Sequence, residues 1–336
     1  MDLSTNYMGL ALRNPLVASP SPLSYTLDGI KRLADGGVGA IVMFSLFEEQ
    51  LRAEAARTIR LVEETAESFP EALDYFPDVV EEDGSPRNYL DLLERAVAAV
   101  DVPVIASLNG VTPEGWTDNA RAMQDAGAAA IELNIYYLPG DPEVSGREVE
   151  QRHVDVLEHV RSAVSVPVAV KLGPYFSSPG EVALRLDEGG ADALVLFNRF
   201  LQPDIDHEQL RVLPSVNLSS PADARLARTW IALLRGRTRA SLAATSGVEV
   251  YADLARYLLA GADVVMTTSA LLRHGPGYAA ELLDGLTVWM ARKGFQSVDE
   301  VRGMLSVPAD ADEAAYERAG YVTAMRAANA GAYDAW

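Results

Sequence analysis

Val166-Pro-Val-Ala-Val-Lys-Leu-Gly-Pro-Tyr-Phe176 holds a short apolar run edged by proline and closed by Lys171 and Gly173-Pro174. The run is too short for a lone helix and reads as a strand buried on both faces, as in a parallel sheet. Its carboxyl end is where α/β proteins place chemistry. Lysine is rarely buried without a partner. Lys171 therefore either faces an anion or an electron-rich ligand, or snorkels to solvent from the strand end.

Working outward, similar runs recur at 15–19, 40–44, 102–107, 129–134, 193–197, 239–243 and 262–266. Helix-like stretches separate them at 27–34, 50–68, 89–100, 113–125, 146–163, 179–188, 222–234 and 248–259. Several helices lead into strands through short glycine turns, as at Ala126-Gly127-Ala128, Gly189-Gly190-Ala191 and Ala260-Gly261-Ala262, where glycine suits the residue that closes a helix. Alternating strand–helix units of this number predict an α/β fold, a (β/α)8 TIM barrel. A doubly wound open sheet is the alternative, but Ser19-Pro-Ser-Pro22 is no glycine-rich phosphate loop. One domain is expected over 1–336, with the barrel core at about 15–285 and a helical carboxyl-terminal tail at about 286–336. Within the tail, 278–293, 298–305 and 313–330 read as helices. Two connections are long: 45–100, with a polar loop at 76–88, and 201–220, read as a short β-excursion over the barrel mouth.

The chain has 336 residues, 49% of them hydrophobic, which suffices for a large core. A formal net charge of -20 argues against nucleic acid and against anionic membranes. The absence of cysteine rules out disulfides, thiolate metal sites, cysteine-ligated clusters and a cysteine nucleophile. His153, His159, His207 and His274 have no metal-ligand spacing, and the first two read as solvated surface residues. No run is long enough to span a bilayer and no signal peptide is expected, so a cytoplasmic protein is expected.

The strand ends collect Ser19; Phe44-Ser45; Ser107 with Asn109; Asn134 with Tyr136-Tyr137; Lys171; Asn198-Arg199; Thr245-Ser246-Gly247; and Thr267-Thr268. Asn109, Asn134, Asn198 and Lys171 offer donors and acceptors suited to a planar, nitrogen-rich heterocycle. The last two groups precede expected helices after strands seven and eight, where barrels often bind phosphate. Ordinary helix capping is the alternative.

On these segments the chain resembles the dihydroorotate dehydrogenase family of FMN barrels. The resemblance runs from Leu10-Ala-Leu-Arg-Asn-Pro-Leu-Val-Ala-Ser19 to about Arg302. ELNIYYLPG (132–140), VPVAVKLGPYF (166–176) and ATSGVEVYADLARYLLAGADVVMTTSAL (244–271) are its strongest parts. It implies FMN as cofactor, with Lys171 near the isoalloxazine ring and Ala18 and Ser19 approaching it through backbone. Ser246, Gly247, Thr267 and Thr268 would hold the phosphate, and Ser219 and Ser220 would lie near the ribityl chain. Asn134 and Asn198 match asparagines that contact substrate or flavin. A small-molecule substrate and a homodimer are expected on the same ground.

The departures concern the substrate side. The family's Asn-Leu-Ser-Cys-Pro-Asn type loop, with its base cysteine, is here Asn134-Ile-Tyr-Tyr-Leu-Pro139. Tyr137 stands at the base position and Pro139 replaces an asparagine. Phe44, with Ser45 beside it, replaces a lysine, and Arg199 follows Asn198. A phenol has a pKa of about 10 and suits an acid better than a base; packing over the pocket is the other reading for Tyr136 and Tyr137. Arg199 suits an anionic substrate or a surface ion pair. The leading expectation is an FMN-dependent oxidoreductase acting on CH–CH bonds, with a substrate other than dihydroorotate. Dihydroorotate oxidation in pyrimidine biosynthesis, flavin binding without turnover, and a flavin-free Schiff-base lyase or isomerase using Lys171 are the alternatives.

Overall fold

The computed structural model describes residues 1–48, 86–110, 112–137, 140–199, 203–213, 217–308, 310–311, 318 and 320–326. The expected helix at 50–68, most of the 76–88 loop, Pro139 and most of 313–330 lie outside them.

The chain opens with an antiparallel hairpin, β1 (Thr5–Tyr7) and β2 (Leu10–Leu12). The barrel strands follow: β3 (Leu16–Ala18), β4 (Ala40–Phe47), β5 (Val104–Asn109), β6 (Ala130–Asn134), β7 (Val168–Leu172) and β8 (Ala193–Leu196). A second antiparallel hairpin, β9 (Asp204–Asp206) and β10 (Arg211–Leu213), fills the long connection before β11 (Ser241–Thr245) and β12 (Val264–Thr267). The eight barrel strands pair in parallel and close, β12 returning to β3. The fold is a (β/α)8 barrel with helical segments after its last strand.

Alternation along each strand explains why both faces are apolar. Outward residues such as Leu16, Ile41, Ile131, Val170 and Leu194 pack against the helices. Inward residues fill the lumen: Val17, Val42, Ile105, Val195, Val264 and Met266, with Ala40, Ala130, Ala169, Ala193 and Ala243. The five alanines leave room, and Tyr7, Met8 and Leu12 of the amino-terminal hairpin occupy it. Met8 and Gly9 close this hairpin with positive φ, 55° and 80°, as a tight two-residue turn requires.

The expected helices hold at Pro113–Asp125, Gly146–Ala163 and Pro179–Glu188. Local chemistry accounts for the longest of these. Ser145 Oγ accepts from the Glu148 amide at 3.3 Å, and the Glu148 carboxylate accepts from the Ser145 amide at 2.8 Å, a reciprocal cap. Three expectations need correction. The helix placed at 248 begins at Tyr251, because Val250 is extended, with φ of -130° and ψ of 164°, and acts as its N-cap. The second barrel strand continues to Phe47 through a bulge between Val42 and Ser45. His153 is 2% exposed; its ring meets Phe176 edge-on at 5.0 Å and its Nδ1 donates to the Val149 carbonyl at 2.8 Å.

Candidate active site

The bulge in β4 decides which side chain reaches the mouth of the barrel. It turns Ser45 inward and leaves Phe44 packed edge-on between Tyr25 (4.6 Å) and Tyr89 (4.9 Å). Ser45 Oγ then joins a chain of hydrogen bonds across four strand ends. It meets Ser107 Oγ at 2.8 Å and accepts from Asn134 Nδ2 at 3.2 Å, while Asn134 Oδ1 accepts from Asn198 Nδ2 at 2.7 Å. Tyr89 anchors the far end by accepting from the Ser107 amide at 3.0 Å. Burial pushes the Tyr89 hydroxyl far above its ordinary value, so it stays a neutral phenol. Asn109, at the end of β5, is buried on the same rim.

Lys171 lies on the inward face of β7 and is 7% exposed. Its Nζ stands 3.3 Å from Glu132 Oε1 on the neighbouring strand, so it does not snorkel to solvent. Glu132 was not anticipated as a site residue. The usable signal was its place two residues before Asn134, hence on the same face of β6.

A second group of sequence-expected residues gathers at the ends of β3, β11 and β12. The Ser19 amide donates to the Thr267 carbonyl at 3.0 Å, and Thr268 Oγ1 donates to the Ser19 carbonyl at 3.0 Å. Ser219 Oγ accepts from the Gly247 amide at 3.1 Å and meets Ser269 Oγ at 2.9 Å. Ser246 Oγ donates to the Phe197 carbonyl at 3.3 Å. Ser220 faces away from this junction: its amide and hydroxyl donate to the Asp223 carboxylate at 2.7 and 3.2 Å. A Cβ on Gly247 would come within 2.6 Å of the Ala224 amide nitrogen and 2.7 Å of the Ser220 carbonyl, so backbone packs on backbone here. Arg273, which carries no motif signal, pairs with Glu249 and donates to the Ser219 carbonyl at 3.0 Å.

The substrate-side candidates stand at the outer rim. Tyr137 is half-buried with the Arg152 guanidinium 4.5 Å from its ring centre, and Tyr136 is exposed. Arg199 is exposed and donates to the Asn217 carbonyl at 2.7 Å rather than to a carboxylate. It lines a cavity of ≈ 150 Å³ together with Pro174, Tyr175, Phe197, Asn198 and Ser246.

A barrel whose mouth carries amide and ammonium groups on one side and a hydroxyl-rich junction on the other suits a planar heterocycle bearing a phosphate. The residues fit FMN: Lys171, Asn109 and the asparagine chain suit the polar edge of a flavin ring, and Ser246, Thr267 and Thr268 place hydroxyls at the ends of β11 and β12, where barrels often bind phosphate. The chain belongs to the dihydroorotate dehydrogenase family, whose model matches residues 2–290, and it is an FMN-dependent oxidoreductase acting on CH–CH bonds. It is 26% identical to the catalytic subunit of dihydroorotate dehydrogenase B (NAD(+)) of Methanothermobacter thermautotrophicus, covering 90% of this chain and 98% of that one. It is 26% identical to NAD-dependent dihydropyrimidine dehydrogenase subunit PreA of Escherichia coli K12, covering 92% and 79%. To a putative dihydroorotate dehydrogenase A (fumarate) of Aeropyrum pernix it is 30% identical over 63% of this chain and 70% of that one. Among the described residues no helix is long and apolar enough to cross a membrane.

Proposed function

We propose that the protein oxidises or reduces a CH–CH bond of a small anionic substrate other than dihydroorotate, with Tyr137 handling the accompanying proton. The observation that carries this reading is the chain Ser107–Ser45–Asn134–Asn198 beside buried Lys171. It orders amide groups at the mouth that can orient a planar substrate, while the rim lacks the family's cysteine, and Phe44 fills a lysine's place among aromatic rings. FMN, when bound, supplies the two-electron chemistry.

The chain's own residues have separable tasks. Lys171 would present a positive charge to the ring of bound FMN, where it would favour negative charge. Asn134 and Asn198 hold the substrate face-on, and Arg199 at the cavity edge offers a guanidinium to a substrate carboxylate. Tyr137 would offer its hydroxyl as the proton donor to one substrate carbon in the reducing direction and take the same proton back in the reverse one. Ser246, Gly247, Thr267 and Thr268 hold the phosphate, with Ser219 bracing Gly247.

The relatives' names favour one second reading, oxidation of dihydroorotate itself. Anaerobic mixing of the yellow protein with dihydroorotate separates the two. The proposal expects no bleaching by dihydroorotate while a chemical reductant still bleaches the flavin; rapid bleaching by dihydroorotate would sink it. A colourless protein that takes up no added FMN would remove both.

A further inference from the structure

Glu132 is out of place in its surroundings. It is 1% exposed, above a lumen filled mainly by alanine, valine, isoleucine and methionine, with Tyr7 and Leu12 from the plug. A carboxylate buried that deeply is costly unless it is paired and its oxygens are satisfied. Its cation is Lys171, at 3.3 Å from Oε1, but Oε2 is buried without a hydrogen-bond partner. The hydroxyl of Tyr7, rising from the plug below, is buried without one as well. Burial, reinforced by the charges of Glu132 and Asp263, pushes that phenol well above its ordinary value and keeps it neutral. Tyr7 therefore brings no positive charge to Glu132 from below.

Such a pair is a poor device for stability, since apolar residues of similar volume usually serve as well or better. Its placement explains it differently. Asn134 and Lys171 are register partners on β6 and β7, and Glu132 stands one inward position deeper on β6. The lysine's charged head is thus held from beneath, at the layer under the mouth. We propose that Glu132 is a positioning residue for Lys171, fixing its ammonium at the flavin and offsetting its charge, so that the pair sets how strongly the bound flavin favours its reduced form. The inference rests on the flavin contact assigned to Lys171 above.

The sign follows from electrostatics. A positive charge near the ring favours the anionic reduced form, and a neighbouring carboxylate opposes it. Glu132→Gln should therefore raise the ratio of reduced to oxidised FMN at a fixed poise of a reference dye by about tenfold. Glu132→Asp keeps the charge but withdraws it from Lys171 by one methylene, and should move the ratio less; it also serves if the glutamine variant does not fold. Lys171 is one of three lysines, with Lys31 and Lys293, so its amine can be followed separately. Acylation of Lys171 relative to the other two, read by mass spectrometry, should accelerate in Glu132→Gln, because its amine is no longer held against a carboxylate. A reduced-to-oxidised ratio unchanged in both variants would overturn the proposal, even if acylation accelerates. Wild-type protein that binds no FMN is a different failure: it removes the flavin contact itself and is seen before any variant is made.

Discussion

Asn198 Nδ2 donates to Asn134 Oδ1 over 2.7 Å, although the two residues are 64 apart in the chain and their strands are separated by β7. This bond fixes the direction of both amides. With its oxygen accepting from Asn198, Asn134 must point its Nδ2 at Ser45. Removing Asn198 releases that orientation. Asn198→Ala should lower kcat/KM about tenfold to a hundredfold while FMN content and spectrum stay as they are. Unchanged kcat/KM in steady-state assays would show that the amide chain does not face the substrate.

Gly247 has φ of 70° and no space for a Cβ beside Ala224 and Ser220. An alanine there must shift backbone on both sides, at a cost of about 1–3 kcal/mol. Gly247→Ala should lower the urea midpoint and weaken FMN binding together, measured by equilibrium unfolding and by flavin fluorescence titration. Retention of both values would mean that the junction yields without disturbing a phosphate.

Lys171→Ala should damage more than the cofactor contact. It leaves the Glu132 carboxylate buried without its cation, which typically costs about 3–5 kcal/mol. The variant should unfold at lower denaturant and should bind FMN weakly or reduce it slowly. If stability is untouched, the ion pair is not what holds Glu132 in the core.

The barrel could be read from the chain because periodicity and glycine turns are local. All eight strands were placed within a few residues, down to Val168–Leu172 around Lys171. What escaped depends on three-dimensional accidents of register. The bulge that turns Ser45 rather than Phe44 toward Asn134 leaves no composition signal. Glu132 looked like one acid among 48 until the register of β6 against β7 set it beside Lys171. His153 sat in a charged helix, yet fourfold helical spacing put it with Val149 and Leu157 on the buried face.

His153 gives a pH signature. Burial lowers its pKa from an ordinary value of 6.5, against a smaller opposing effect of the Val149 carbonyl bond. The unfolded chain thus binds a proton at a pH where the folded protein does not. Its contribution is fully present above about 6.5 and declines as pH falls from there toward the lower folded value. The urea midpoint should drop between neutral pH and mildly acidic pH in the wild type, with a shallower drop in His153→Gln. Identical slopes in the two proteins would assign the pH dependence to other groups.

Tyr137 carries the sharpest claim about chemistry. Its ring lies 4.5 Å from the Arg152 guanidinium carbon, a contact that phenylalanine would keep, since the interaction is with the ring face. Tyr137→Phe therefore removes the proton donor while leaving the packing. The variant should fold with wild-type stability, bind FMN equally well, and bind substrate with little change in affinity. Its rate of flavin reduction or reoxidation by that substrate should fall by about a hundredfold or more, the usual weight of a positioned acid or base. Arg152→Ala supplies the contrast: it loosens the ring but spares the hydroxyl, so it should shift stability more than rate. A Tyr137→Phe protein with an undiminished rate constant would leave this residue only its packing against Arg152 and would move the proton transfer elsewhere on the rim.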